Sequence, residues 1–200
     1  PLWKYEAGQP VICSVAGDAE NVYLGSFDRQ VHAVDIRTGT NTWMFKTGGA
    51  IRSGVAVTED AVYTGSDDGQ VYAIDKRTGK QRWAFQTGGY VEAAPAVDDR
   101  AVYIGSLDGI FRALDRKTGT VLWTLDAQAP IRRAALVLGE QAYFYADDNV
   151  LRQADRRTGD ERAQVQLQYP GLTDLTPVGS SLILGTRYGY YTINGAGRGK

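Results

Sequence analysis

Few side chains in this sequence could act as nucleophiles, and the most suggestive of them recur at a fixed interval. Ser26, Ser66 and Ser106 each follow a glycine, as catalytic serines of hydrolases often do. A nucleophile needs one base and one oxyanion hole, and three equivalent copies of it would serve no purpose. The three serines are therefore predicted to be structural.

The candidate bases and metal ligands are equally sparse. His32 is the only histidine, and the equivalent positions of the sequence carry other residue types, namely Tyr72, Arg112 and Arg152. This variation predicts a partly exposed strand position for His32 and not a general base. Cys13 is the only cysteine, which excludes an internal disulfide. No metal-ligand cluster, phosphate-binding loop or dinucleotide fingerprint is present.

The interval that relates these residues is forty, and it organises most of the chain. Tryptophan recurs as Trp3, Trp43, Trp83 and Trp123. Tyrosine recurs as Tyr23, Tyr63, Tyr103 and Tyr143, and aspartate as Asp35, Asp75, Asp115 and Asp155. A Thr-Gly pair follows each of these aspartates. Such a repeat is typical of a structural unit that buries its apolar face only by stacking on a neighbour.

Each copy contains four short segments rich in β-branched and aromatic residues, which in the second copy span about 50–57, 61–66, 70–76 and 80–86. Asp-Gly and Thr-Gly turns separate the later segments, where glycine adopts positive φ without strain. Four antiparallel strands in forty residues, repeated, describe the blades of a β-propeller. The predicted fold class is all-β, with five blades.

A single propeller domain is predicted over residues 1–194, followed by a tail at 195–200. The blades lie at about 10–46, 50–86, 90–126, 130–166 and 171–194. The opening segment, 2–7, has the sequence of a lone fourth strand and is predicted to pair with the last blade, which closes the ring and removes both sheet edges. The alternative is a piece of a longer array. Because the chain begins with Pro1 and not with Met, we expect a processed product or an excised domain.

The fourth copy drifts from the pattern. Ala163 stands where a tryptophan is expected, and Asn149 replaces the turn glycine. Relaxed packing between blades is the first interpretation, and a surface reshaped for a partner is the second.

Composition excludes further classes of protein. The net charge of −1 and the isoelectric point near 5.9 give no general attraction to nucleic acid or to anionic membranes. Basic residues do recur in the turns after the third segments, as Arg37, Lys76-Arg77, Arg116-Lys117 and Arg156-Arg157. Acidic residues after the first segments are predicted to lie on the same face and to neutralise them. No apolar run approaches the roughly 18 residues of a membrane span.

The motif Ala-x-Asp-x-x-Thr-Gly-x-x-x-Trp appears as AIDKRTGKQRW and ALDRKTGTVLW, and with valine as AVDIRTGTNTW. It resembles the PQQ-like (pyrroloquinoline-quinone enzyme repeat) family of β-propellers, most specifically in residues 20–126. The resemblance implies that Trp3, Trp43, Trp83 and Trp123 dock between neighbouring blades. The family includes quinoprotein dehydrogenases, the propeller lipoprotein of the outer-membrane protein assembly machine, and sensor domains of bacterial receptor serine/threonine kinases.

The resemblance gives three expectations about function. The first is a non-catalytic, extracytoplasmic binding or sensing module of a larger bacterial protein such as a receptor kinase. The alternative is a protein–protein assembly scaffold, and the third is a quinone-binding domain. Quinoprotein dehydrogenases carry a catalytic aspartate, a calcium site and often a vicinal disulfide, which one cysteine cannot form. We therefore predict no enzyme activity, no metal and no cofactor, with PQQ or another quinone as the open alternative.

Residues that break the repeat are the candidates for a binding site. Successive copies carry, at one first-segment position, Ile12, Arg52, Glu92, Arg132 and Leu172, and at the next Cys13, Ser53, Ala93, Arg133 and Thr173. Arg52, Glu92, Arg132 and Arg133, with Tyr90 just upstream, are predicted to line a channel mouth. The excess of arginine favours an anionic ligand held by charge-assisted hydrogen bonds, although a protein partner remains open. The alternative is that Arg52, Glu92 and Arg132 pair with one another and close the channel.

Overall fold

The computed structural model describes residues 3–179 and 181–194, and over these residues its regular secondary structure forms five antiparallel β-sheets. Sheet 1 contains β1 (Ala16–Gly17), β2 (Asn21–Gly25), β3 (Gln30–Asp35) and β4 (Asn41–Lys46). Sheet 2 contains β5 (Ala56–Val57), β6 (Ala61–Gly65), β7 (Gln70–Asp75) and β8 (Gln81–Gln86). Sheet 3 contains β9 (Ala96–Val97), β10 (Ala101–Gly105), β11 (Ile110–Asp115) and β12 (Val121–Asp126). Sheet 4 contains β13 (Leu136–Leu138), β14 (Gln141–Tyr145), β15 (Val150–Asp155) and β16 (Glu161–Gln166). Sheet 5 contains β17 (Thr176–Val178), β18 (Ser181–Thr186) and β19 (Gly189–Asn194).

Within each sheet the strands follow the order of the chain, as blades of a propeller do. The predicted all-β class is therefore confirmed. The described residues contain no helix of the length and apolarity needed to cross a bilayer. The predicted tail at 195–200 and Leu2 of the opening segment lie outside the described residues.

Burial on both faces explains why the middle strands of sheet 2 are largely apolar. In sheet 2, Tyr63 and Val71 belong to a core shared with sheet 3, whereas Val62 and Ile74 belong to a core shared with sheet 1. Successive side chains of a strand point to opposite faces, so sheets 2, 3 and 4 each contribute to two cores. The packing is tight, because a Cβ atom at Gly65 would overlap the side chain of Val91 on the segment that leads into sheet 3.

The first strands are much shorter than predicted. In place of a strand over 50–57, only Ala56–Val57 pairs regularly with the second strand. The preceding residues pack sideways against neighbouring sheets, since a Cβ at Gly54 would overlap Ser14 and lie 3.1 Å from the Cβ of Ala94. Close packing of these inner segments takes the place of ladder hydrogen bonds.

The sequence of sheet 4 departs from the repeat, and this departure changes the packing of one strand only. Every residue of β16 is exposed, including Ala163. Asn149 has φ of 62° and so keeps the left-handed turn that Gly69 and Gly109 form with φ of 81°. The turn conformation is retained while the outer strand loses its packing.

The hairpin of sheet 5 is one residue shorter than the others. In sheet 2, Val62 pairs with Ile74, whereas in sheet 5 the equivalent Leu182 pairs with Ile193. Strand β19 is thus shifted by one residue against the repeat, and because alternate residues face opposite sides, the shift places Tyr191 in the core shared with sheet 4.

The predicted pairing of 2–7 with 189–194 is not observed, and this part of the prediction is corrected. Residues 3–7 are not in a strand, and sheet 5 has three strands among the described residues. The segment is held by sheet 1 instead, where Trp3 Nε1 donates to the carbonyl of Ile36 at 2.8 Å. These contacts place residues 3–7 beside sheet 1 in the same way that the fourth strand of one sheet lies beside the next sheet. Sheet 5 does not cover sheet 1, since Val11 is 39% exposed where its equivalent Ile51 is fully buried.

The turns separate the molecule into two faces. The top face carries the turns between second and third strands and the segments that lead into the first strands, which are joined by hydrogen bonds such as that from the amide of Asp67 to the carbonyl of Ala50 at 2.9 Å. The bottom face carries the remaining turns, joined by bonds such as that from the amide of Lys76 to the carbonyl of Asp60 at 3.1 Å. The predicted sharing of one face by the basic turns and the acidic loops is seen at the bottom.

Candidate functional site

The repeated tryptophans join each sheet to the next. Three of them are nearly buried, with exposures of 9%, 7% and 8% for Trp43, Trp83 and Trp123. Trp83 packs on Gly119 of sheet 3, where a Cβ would lie 2.7 Å from the indole, and its Nε1 donates to the carbonyl of Arg116 at 3.0 Å. Trp3 makes the equivalent contacts with Gly39 and Ile36 of sheet 1. All four tryptophans therefore have the docking contacts that the family resemblance implied.

The repeated serines are fully buried in the hairpin turns, which agrees with a structural role. His32, by contrast, is 2% exposed, so the prediction of a partly exposed position is wrong. Its Nε2 lies 3.0 Å from Asp28 Oδ2 and its Nδ1 lies 2.8 Å from the Tyr5 hydroxyl.

An aspartate that the sequence analysis missed explains the burial of this position. The hairpin turns of sheets 1 to 4 each carry one, at Asp28, Asp68, Asp108 and Asp148, and each binds the side chain four residues later. The partners are His32, Tyr72, Arg112 and Arg152. All four can bond a carboxylate, which is the property that these otherwise different residues share. The shared spacing of four residues was the available indication.

Arg52 lies on the top face and is held by its own sheet. Its Nε donates to Asp67 Oδ2 at 2.8 Å, and its guanidinium stacks 4.8 Å from the ring centre of Phe27 in sheet 1. The hydrogen bond that Arg52 donates to Asp67, followed by the negative charge of Asp67, raises the pKa of Arg52. The side chain remains 44% exposed, so its outer edge faces solvent.

Arg132 joins sheets 3 and 4 on the same face. Its Nε donates to Asp147 Oδ2 and its Nη1 to Glu92 Oε2, each at 2.8 Å. The alternative prediction was that Arg52, Glu92 and Arg132 pair with one another and close the channel. The pair between Arg132 and Glu92 is present, but Arg52 binds Asp67 instead. With Arg132 and Asp147 both 43% exposed, the pairs do not seal the face.

The two remaining predicted site residues lie beside these pairs. Tyr90 is 55% exposed on the segment that leads into sheet 3, and its carbonyl accepts from the amide of Leu107 at 2.9 Å. Arg133 is half-buried, near the hydroxyl of Tyr145, and has no carboxylate partner among the described residues.

An excess of arginine predicted an anionic ligand, but the carboxylates on this face balance the arginines. Asp67 and Asp147 join Glu92 and bind Arg52 and Arg132, so that Arg133 alone of the three arginines has no carboxylate partner among the described residues. The two aspartates lie fifteen residues after the arginines that they bind. No pattern in the sequence indicates that these loops lie together. Binding at this face stays a prediction, while the charge of its ligand is no longer specified.

Exposed apolar side chains surround the paired charges. Ile12 and Leu172 occupy the positions equivalent to Arg52 in sheets 1 and 5 and are 63% and 50% exposed. Tyr188 lies in the top-face turn of sheet 5 and is 72% exposed, with its ring 5.0 Å from that of Tyr169. The top face therefore combines solvent-facing aromatic and aliphatic groups with paired charges.

The bottom face carries ion pairs between sheets. Lys76 of sheet 2 lies 3.0 Å from Asp18 of sheet 1, and Arg156 of sheet 4 lies 2.6 Å from Asp98 of sheet 3. Burial alone would raise the pKa of Asp18, but hydrogen bonds from backbone amides, Lys76 and Tyr23 outweigh it and lower the pKa to about 2. These pairs neutralise much of the basic ring, as the sequence predicted.

Four cavities of about 350 to 450 Å³ lie away from the predicted site, and none of these four is lined by its residues. In the described part of the chain, no group of three or more histidine, cysteine or acidic side chains could hold a metal ion. The absence of a cofactor, with PQQ or another quinone as the alternative, stays a prediction.

Successive four-stranded sheets, forty-residue spacing and tryptophan docking together define a PQQ-like repeat β-propeller. The family model of the outer membrane protein assembly factor BamB matches residues 27–180. The chain belongs to that family.

Two solved structures share the fold. BamB from Moraxella catarrhalis is 20% identical with a TM-score of 0.64, and the match covers 96% of this chain and 76% of that one. The quinohemoprotein alcohol dehydrogenase from Comamonas testosteroni is 17% identical with a TM-score of 0.79, and the match covers 96% of this chain and 43% of that one. At these identities the likeness concerns the fold alone. A comparison with curated protein sequences gave no match.

Proposed function

We propose that this chain is a non-catalytic scaffold that binds another protein through its top face, as part of outer-membrane protein assembly and outside the cytoplasm. Membership of the assembly-factor family supports the process and the location. The observation that carries the binding mode is the surface built by Arg52, Tyr90, Glu92 and Arg132, with their partner aspartates, amid exposed apolar groups.

The composition of this surface fits a protein partner. Tyrosine and arginine are enriched at the energetic centres of protein interfaces, because each offers a large contact area together with hydrogen bonds. Arg132 is already oriented by Glu92 and Asp147, so little side-chain freedom is lost on binding. Its exposed edge and the ring of Tyr90 can still contact a partner.

The paired charges also explain why a free anion is a less suitable ligand. A small anion would have to compete with the carboxylate that already bonds to Arg52 or Arg132. A protein surface can add hydrogen bonds around intact pairs and bury the neighbouring apolar groups. The alternative of a receptor-kinase sensor domain calls for a small ligand that raises the melting temperature, which a scaffold does not require.

A charge reversal with a matched control tests this proposal. Arg132→Glu places a third carboxylate beside Glu92 and Asp147 and should abolish co-purification of outer-membrane assembly proteins from cell envelopes. Tyr90→Ala should weaken it. Arg162→Glu changes a similarly exposed, paired arginine on the outer strand β16 and should leave co-purification unchanged.

Circular dichroism and melting curves establish that each variant is folded. Equal co-purification by the Arg132→Glu and Arg162→Glu proteins would refute the proposed face. A quinone or small anion that raised the melting temperature, with no protein partner recovered, would favour the sensor alternative.

A further inference from the structure

On the bottom face, the junction between sheets 3 and 4 departs from the charge pattern of its equivalents. The turn between first and second strands carries, in successive copies, Glu20, Asp60, Arg100 and Glu140. The following sheet presents basic residues to this position, which at sheet 4 are Arg156 and Arg157. Arg100 therefore lines one cavity together with Arg156 and Arg157, at a position where the other copies place an acid.

These residues surround a cavity of about 350 Å³ lined by Asp98, Asp99, Arg100, Tyr103, Arg156 and Arg157. Arg100 Nη1 donates to the carbonyl oxygen of Arg157 at 3.3 Å, which ties the two turns together. No carboxylate of the described residues forms a salt bridge with Arg100. Its other guanidinium N–H groups are left available at the edge of the cavity.

The nearby acids do not supply the missing partner. Asp98 already accepts from the amides of Arg100 and Ala101, from the hydroxyl of Tyr103 at 2.9 Å and from Arg156 at 2.6 Å. Burial acts to raise the pKa of Asp98, but these hydrogen bonds outweigh it, and its pKa is lowered.

Two further acids stand at the edge of the cluster. Glu140 is shared between Arg156 at 3.2 Å and Arg157 at 3.4 Å. Asp99 lies 3.8 Å from Arg156, but its side chain is 90% exposed. The Nε of Arg156 is buried without a hydrogen-bond partner, which adds an unsatisfied donor to the cluster. Donor groups of the arginines thus exceed the acceptors that reach them.

We propose that this cavity binds a phosphate-type oxyanion between the guanidinium groups of Arg100 and Arg157. The planar fork of arginine matches tetrahedral oxyanions through paired, charge-assisted hydrogen bonds. The site lies on the face opposite the proposed partner surface, so it is independent of the proposed function. The phosphate is either a free ion or the headgroup of a lipid.

Substitutions that follow the repeat provide the test. Arg100→Glu restores the acid of the other copies and should fold, yet it should bind inorganic phosphate at least about tenfold more weakly in titration calorimetry. Arg37 is the equivalent of Arg157 in sheet 1, and its side chain is 83% exposed. Arg37→Glu is therefore the matched control and should bind phosphate as the wild type does.

The measurement is made against sodium chloride of equal ionic strength, and melting temperatures are recorded in both salts. Phosphate binding by Arg100→Glu within twofold of the wild type would overturn the proposal, as would equal melting temperatures of the wild type in the two salts.

Vesicles distinguish the two sources of phosphate. If a lipid headgroup is the ligand, sedimentation with vesicles containing phosphatidic acid should require Arg100 and fail with pure phosphatidylcholine. If free phosphate is the ligand, the binding of inorganic phosphate measured by calorimetry should depend on Arg100, and the protein should not sediment with vesicles of either composition. Failure of both assays to depend on Arg100 would exclude the site.

Discussion

Replacing Trp83 by alanine should destabilise the protein more than replacing any solvent-exposed residue by alanine. The indole is 7% exposed, packs on Gly119, lies 5.9 Å from the ring of Tyr63 and donates a hydrogen bond to Arg116. Removing a buried aromatic side chain leaves a cavity and costs roughly 3–5 kcal/mol. Urea unfolding followed by circular dichroism measures the change as a shift of the denaturation midpoint. The slope should stay constant, because the same surface is exposed on unfolding.

Met44→Ala is a suitable control, because Met44 lies on a fourth strand but is 54% exposed. Surface substitutions of this kind change stability by about 0.5 kcal/mol or less. Trp83→Phe keeps an aromatic ring while removing the Nε1 donor and should fall between the two. Unfolding of Trp83→Ala at the wild-type midpoint would refute the inter-sheet docking role of the repeated tryptophans.

Three further results follow from the same contacts. Gly119→Ala should lower the melting temperature in a thermal scan, because Gly119 has φ of 72° and a Cβ would lie 2.7 Å from the Trp83 indole; a variant as stable as the wild type would contradict this. Deleting residues 1–8 should also lower the melting temperature, since it uncovers the edge of sheet 1, and an unchanged value would show that the opening segment contributes nothing. The pKa of Asp18 is about 2 in the folded protein against an ordinary 3.8, so its stabilisation is present above pH 3.8 and lost as the pH falls towards 2. Asp18→Asn should remove that part of the acid sensitivity in unfolding curves, and an identical acid profile would contradict the lowered pKa of Asp18.

The repeat allowed much of the fold to be predicted because each sheet obeys the same local rules. The Thr-Gly turns and the docking of Trp43, Trp83 and Trp123 depend on residues that recur every forty positions. The shortened hairpin of sheet 5 escaped prediction, because one missing residue in a turn does not alter the apolar character of β19. The position of 3–7 depends on contacts with sheet 1 that no local pattern reveals.

The candidate site was predicted less completely. Arg52 and Arg132 were found because they break the repeat, but their carboxylate partners lie fifteen residues away on another turn. Pairing across two loops depends on how the chain folds back, and spacing alone does not specify it. The burial of His32 was predicted wrongly for a similar reason. Its hydrogen bond with Asp28 satisfies a polar side chain that would otherwise be costly to bury.

The most direct test of the scaffold proposal is site-specific photo-crosslinking in living cells. A photoreactive amino acid at Tyr90 on the top face is compared with one at Thr78, an exposed turn residue of the bottom face. We expect the probe at position 90 to capture a component of outer-membrane protein assembly, identified by mass spectrometry, and the probe at position 78 to capture none. Equal capture from both positions, or no protein captured from position 90, would contradict a partner-binding top face.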